Sequence, residues 1–202
     1  MSARRDPEST RKRLIEAAFS EIHLNGFQGM RVDDVLAQAG LRKGALYHHF
    51  GSKAELGYAV LDQIVRKMID ETWLAPLRDV DDPVTALKQQ IIVITAEIRP
   101  DSLKLGCPLN NLAQEMSPVD EGFRTRVTDL FEYWIGGFTA AFKRGQEKGY
   151  VRDDIDTTNA ARFLVSSLEG CIGIAKAQQS KEHLEACGDQ VVAWLDSLRA
   201  PS

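Results

Sequence analysis

The run Leu41-Arg42-Lys43-Gly44-Ala45-Leu46-Tyr47-His48-His49-Phe50-Gly51-Ser52-Lys53 gathers two histidines, a phenol and three cations. Three chemistries use such a set: metal ligation, acid–base catalysis, and contact with an anionic surface. Metal ligation fits poorly. Adjacent His48 and His49 leave a helix in different directions, and no His-Glu-x-x-His motif or cysteine stands nearby. A catalytic histidine needs a carboxylate and a nucleophile within reach. The nearest acids, Asp33 and Asp34, open a helix and offset its dipole. The third chemistry fits the spacing. Leu46 and Phe50, four residues apart, face a core and leave Lys43, Tyr47 and His48 pointing outward. Gly44 lets a backbone approach, and Ala45 is small enough to pack on a thymine methyl. Lys53 opens the next helix, where free amides also favour an anion. The plain alternative is a solvated helix face with His49 half-buried. No catalytic residue, metal or cofactor is expected from this set.

Holding that face outward requires short helices with tight stops, and the flanking sequence supplies them. A first helix from about Glu8 to Leu24 carries Leu14, Ile15, Ala18, Phe19 and Ile22 at helical spacing and stops at Asn25-Gly26. A second spans Val32 to Ala39 and closes on Gly40, and a third spans Lys43 to His49. Three such helices make a helix-turn-helix with a supporting first helix. Ser52-Lys53-Ala54-Glu55 is a capping box that launches a long helix through about Trp73. Further helices are expected from Asp82-Pro83 to Ile98, Leu109 to Met116, Ser117-Pro118 to Lys148, Asp156 to Gln179, and Lys181 to Arg199. Period-two alternation is nearly absent, so the fold class is all-α with about nine helices. The expected domains are 1–53, a helix-turn-helix, and 54–202, a helical body.

Bulk properties allow this. The chain has 202 residues, 44% hydrophobic and 27% charged, as in ordinary globular domains. No apolar run nears the roughly 20 residues of a membrane span, and the basic start leads into no apolar signal segment. Cys107, Cys171 and Cys187 are sparse, odd in number and far apart, which argues against a disulfide framework and for a reducing cytoplasm. The net charge of −4 hides an asymmetry. Residues 1–53 carry nine Lys and Arg against six Asp and Glu; the remainder carries sixteen against twenty-three. A basic head on an acidic body suits a nucleic-acid partner for the head alone.

Phe27 to Leu56 strongly resembles the DNA-binding domain of TetR/AcrR-family transcriptional regulators. The matching features are Gly26-Phe27, Val32-Asp33-Asp34-Val35, Ala39-Gly40, Lys43-Gly44, Leu46-Tyr47-His48-His49-Phe50 and Ser52-Lys53. The resemblance implies a homodimer that sets two recognition helices in successive major grooves of an operator and responds to a small-molecule effector. It places Lys43, Tyr47, His48 and Lys53 on phosphates, and Arg42, Gly44 and Ala45 nearest base edges. Two positions depart from the family. Arg31 and Arg42 stand where a Ser or Thr hydroxyl usually caps helices two and three; losing such a cap costs about 1 kcal/mol. In exchange Arg42 could pair with a guanine edge, worth about 1–3 kcal/mol of discrimination. Both arginines belong to the expected DNA-binding set. Arg4, Arg5, Arg11 and Arg13 form either an arm over the adjacent backbone or a solvated tail.

The acidic body then needs its own task. Its last two helices carry apolar and small residues, including Phe163, Ser167, Gly170, Cys171, Ile174, Val191 and Leu195, which the resemblance assigns to a four-helix dimer interface. A stripe that only closes the monomer core is the alternative. Phe131, Trp134 and Phe138 stand on the long helix around Gly136-Gly137, where the family keeps its effector pocket, though aromatics at this spacing also build cores. Gly106-Cys107-Pro108-Leu109-Asn110-Asn111-Leu112-Ala113-Gln114-Glu115 resembles a segment of one family subset, in some members of which the cysteine senses electrophiles or oxidants. Cys107 and Asn111 join the expected pocket. Cys107 just before a helix start reads either as an activated thiol or as an inert buried one. The sequence thus reads as a ligand-responsive repressor of the cytoplasm with no enzymatic activity. The alternatives are a helical adaptor for protein partners and a thiol-dependent redox protein.

Overall fold

A computed structural model describes residues 7–201, which divide into two compact helical units. One holds the chain up to Lys67 together with Asn111–Thr128; the other holds Met68–Asn110 and the chain from Asp129 onward. Among the described residues the only strand-like feature is an isolated antiparallel bridge between Val151 and Arg199.

The first unit is built on α1 (Pro7–Gly29), which packs against α2 (Val32–Ala39), α3 (Lys43–His49) and α4 (Lys53–Ala59). Leu14, Ile15, Ala18 and Ile22 bury one stripe of α1 against Val35, Leu36, Leu46 and Leu56 of its neighbours' inward faces. Asn25-Gly26 is a kink, not the expected stop: Gly26 adopts φ 76°, ψ 165°, and one more turn runs to Gly29. Ser52 caps α4 by accepting from the Glu55 amide at 3.1 Å. Glu55 closes the box on the Gly51 amide at 2.8 Å, one residue earlier than expected. From the later segment Phe123 brings its ring to 4.5 Å from Phe27 and 5.0 Å from Tyr58. This unit therefore takes in more chain than the 1–53 expected for a DNA-binding head.

Beyond α4 the long helix departs from simple α geometry. Val60–Val65 and Asp70–Leu74 are π-helical, with the short α5 (Arg66–Ile69) between them. The second unit follows with α6 (Pro83–Glu97), α7 (Pro100–Leu105), the first residues of α8 (Pro108–Met116), most of α9 (Glu121–Glu147), α10 (Thr157–Gln178) and α11 (Lys181–Asp196). α11 packs on both α10 and α6, and α10 packs on α7. Helix α7 was not expected. Pro100 reads as a breaker in sequence but serves as a first-turn residue, where its missing amide costs nothing. α9 starts at Glu121, not near Pro118, because Asp120 accepts from the Phe123 amide at 2.9 Å and sets the cap.

One pairing departs from the cysteine reading. Cys171 and Cys187 form a disulfide between α10 and α11, with their Cα atoms 5.8 Å apart. Sixteen residues of sequence separate them, but the antiparallel packing of two helices joined by a short turn brings them side by side. Only Cys107 is a free thiol.

Candidate nucleic-acid interface

The exposed face of α3 is a consequence of two stops. Gly40, with φ 61° and ψ 42°, closes α2 in the left-handed region and returns its amide to Leu36 and Ala37. The chain then enters α3 at an angle that buries Leu46 and Phe50. Arg42, Lys43, Gly44, Tyr47 and His48 are left exposed, with Ala45 and His49 partly covered. Tyr47 is 57% exposed, far from the state of a core aromatic. A Cβ added to Gly44 would meet nothing within 4 Å, so the backbone there is open to close approach. Together with Pro7, Thr10, Gly40 and Leu41, most of this face lines an open concavity of about 780 Å³.

Both arginines stand where expected and cap nothing. Arg31 and Arg42 occupy the N-cap positions of α2 and α3 with extended backbones and no side-chain cap hydrogen bond. Arg31 leans instead toward Asp34, 3.9 Å away. The other cations of the head divide differently from the sequence reading. Lys53 places its ammonium 3.2 Å from the Gln28 carbonyl and 4.9 Å over the Phe27 ring. Burial lowers its pKa, partly offset by Glu115. It serves the head's own backbone, unlike Lys43. Arg13 donates to the Ala39 carbonyl at the end of α2, and Arg11 donates to Gln63 at 3.0 Å and covers the Phe50 ring. These two are structural, not an arm; Arg4 and Arg5 lie outside the described residues.

In the second unit the expected pocket residues separate into groups. Trp134 and Phe138 cluster with Trp73, Phe138 edge-on to both, with ring centroids 5.4 to 6.1 Å apart. The Trp134 indole N–H is buried with no hydrogen-bond partner. Phe131 is partly buried on the same helix. Gly137 packs so closely that an added Cβ would fall 2.4 Å from a Leu74 methyl, whereas Gly136 faces open space. Asn111 belongs to the first unit.

Cys107 meets Glu169, a residue the sequence did not single out. Glu169 is 8% exposed, and its Oε2 has no partner. Asn110 donates to its backbone carbonyl at 3.3 Å. Desolvation pushes the Glu169 carboxyl up to about 7, against smaller opposing hydrogen bonds from Cys107 and Asn110. Desolvation first, then the Glu169 charge, pushes the Cys107 thiol up as well. Of the two readings of Cys107 this favours the inert thiol: the helix start does not offset desolvation beside a carboxylate.

The expected dimer residues also divide. Phe163, Gly170 and Ile174 are exposed along one face of α10, with Ser166, Gly173 and Ala177 beside them, and Ser167 is partly covered. Phe163 and Ile174 are 53% and 50% exposed, which makes this an uncovered apolar stripe. Cys171, Val191 and Leu195 are buried within the chain, Cys171 through its bond to Cys187. They close the α10–α11 core.

Comparison with known proteins matches two family models. Residues 14–60 fit the model of bacterial regulatory proteins of the tetR family, and residues 83–190 fit the C-terminal domain of LmrA/YxaF-like transcriptional regulators. The HTH-type transcriptional repressor SCO4008 of Streptomyces coelicolor is 40% identical over 197 residues, covering 98% of this chain and 93% of that protein. The HTH-type transcriptional repressor DhaR of Mycobacterium sp. strain GP1 is 30% identical over 175 residues, 87% and 86% of the two chains. Among solved structures, a TetR transcriptional regulator from Chloroflexus aurantiacus superposes with a TM-score of 0.82 at 22% identity, covering 96% and 98%.

Proposed function

Because the chain belongs to the TetR family of bacterial transcriptional regulators, we propose that it represses transcription as a homodimer that binds a palindromic operator and leaves it when a small molecule binds the body. The observation that carries this is the sorting of α3: its apolar residues are buried, Arg42, Lys43, Gly44, Tyr47 and His48 stand exposed, and Arg42, Gly44 and His48 line a concavity. Lys43, Tyr47 and His48 meet phosphates there, Arg42 reaches a base edge, and Gly44 and Ala45 let the helix sit close in the major groove.

Two heads are needed, since one short helix reads few bases. The exposed stripe of Phe163, Gly170 and Ile174 on α10 supplies a self-complementary surface for a second copy. Successive major grooves on one duplex face lie about 34–36 Å apart. An effector that binds better to a conformation with another head separation lowers operator affinity by its differential affinity for the two states. The aromatic group of Trp73, Trp134 and Phe138 supports an apolar effector contact in the body. On this reading operator binding puts the protein in the cytoplasm, acting by binding and without catalysis.

Selection of duplexes from a random pool tests this reading. The wild-type protein enriches a palindrome at one half-site spacing, and its affinity falls steeply with salt. Lys43→Ala weakens binding to every enriched sequence and lowers the salt slope by about 1, while the dimer persists by light scattering. A pool from which nothing is enriched, or a Lys43→Ala protein that binds as well as wild type, overturns it.

A further inference from the structure

The motif from Gly106 to Glu115 ends in a residue to which the operator-binding reading gives no role. Glu115, in the last turn of α8, accepts from the Phe27 amide at 2.8 Å with Oε2 and from the Gln28 amide at 2.8 Å with Oε1. These amides are free because Gly26, at φ 76° and ψ 165°, breaks α1 and starts a new turn, in which the Met30 amide reaches the Gly26 carbonyl. The opening amides of a helical turn have no partner within it, and Gly26 has no side chain with which to cap them. A Cβ at position 26 would lie 3.0 Å from both Glu115 oxygens, so the carboxylate occupies the cap position itself. Lys53 holds the other end of the same turn through the Gln28 carbonyl and is attracted by Glu115. The clamped turn leads directly into α2 and the helix-turn-helix.

We infer that Glu115 is a positioning residue for operator binding: it locks the turn at residues 27–29 to α8 and so fixes how the helix-turn-helix is presented. The first three residues of α8 belong to the other compact unit, where Asn110 bonds to Glu169. The clamping carboxylate itself belongs to the same unit as the turn it holds.

This rests on the operator-binding reading, and the test separates the two. Glu115→Gln offers one oxygen to two amides and turns its NH2 against the second, which breaks half the clamp at constant size. In the same random-pool selection with the full-length dimer, wild type enriches one half-site spacing. Glu115→Gln binds the wild-type operator at least tenfold more weakly and enriches a spread of spacings, with the half-site sequence unchanged. A head that is only less stable loses affinity evenly and keeps the single spacing, and that result overturns the inference, as does unchanged affinity. If Glu115→Gln does not fold, Glu115→Asp, which is too short to reach both amides, is read by the same measurements. Amide exchange on the wild-type protein without DNA is a second check: Phe27 and Gln28 exchange slowly if clamped, and fast exchange at both overturns the proposal. Failure of wild type to enrich any duplex sinks the operator-binding reading instead.

Discussion

Glu169 is a carboxylate in a place that favours its acid form, and the consequence for stability has a definite sign. Its carboxyl titrates at about 7 in the folded chain against an ordinary value of 4.5. Between those values the folded state holds a proton that the unfolded state has lost, so stability falls as pH rises. The loss builds from about pH 4.5 and is complete above 7, amounting to about 3 kcal/mol at most. Asp82, Asp120, Asp154 and Asp196 have lowered pKa values and act in the opposite sense, but only below the ordinary carboxylate range. Urea unfolding at pH 5 and pH 8 is expected to show the decline in wild type and to lose most of it in Glu169→Gln. Nothing in the sequence marks this residue. Glu169 stands between Leu168 and Gly170 on α10, and its contacts with Cys107 and Asn110 come from distant parts of the chain.

Neighbouring glycines in α9 show how one helix face decides the effect of a methyl group. Gly136 faces open space, and Gly137 lies under Leu74. Alanine is favoured over glycine in a helix by roughly 1 kcal/mol, so Gly136→Ala is expected to raise the thermal midpoint by a few degrees. At Gly137 the new Cβ meets a buried leucine, and overpacking of this kind costs typically 1–3 kcal/mol. Gly137→Ala is expected to lower the midpoint, and thermal unfolding of the two variants side by side checks both signs. Elements built from local signals were legible in the sequence: the stop at Gly40, the cap at Ser52, the Asp82-Pro83 start and the outward face of α3 all lie within a few residues of their cause. Elements that depend on hydrogen-bond register were not, since the π-helical turns at Val60–Val65 and Asp70–Leu74 leave no mark in the pattern of apolar residues.

At the scale of the whole molecule, contacts between distant residues decide what sequence could not. The Cys171–Cys187 bond closes a loop of about sixteen residues, a length for which cross-linking limits the unfolded chain by about 3 kcal/mol. Denaturant unfolding with a reducing agent is expected to show a loss of that order. The paired substitution Cys171→Ser with Cys187→Ser is expected to show the same loss and then no response to reductant. The carboxylate that grips Phe27 and Gln28 comes from residue 115, 88 and 87 positions along the chain. A motif reading found the segment but not its target, because spacing records neighbours along the chain and not across it. The same grip also restricts how this protein can be edited. Each residue in a helix advances about 100° around its axis. A single insertion or deletion between Leu112 and Glu115 would therefore swing the carboxylate away from both amides while Leu112, buried in the same unit, stayed put. The three-residue interval from Leu112 to Glu115 has a fixed count.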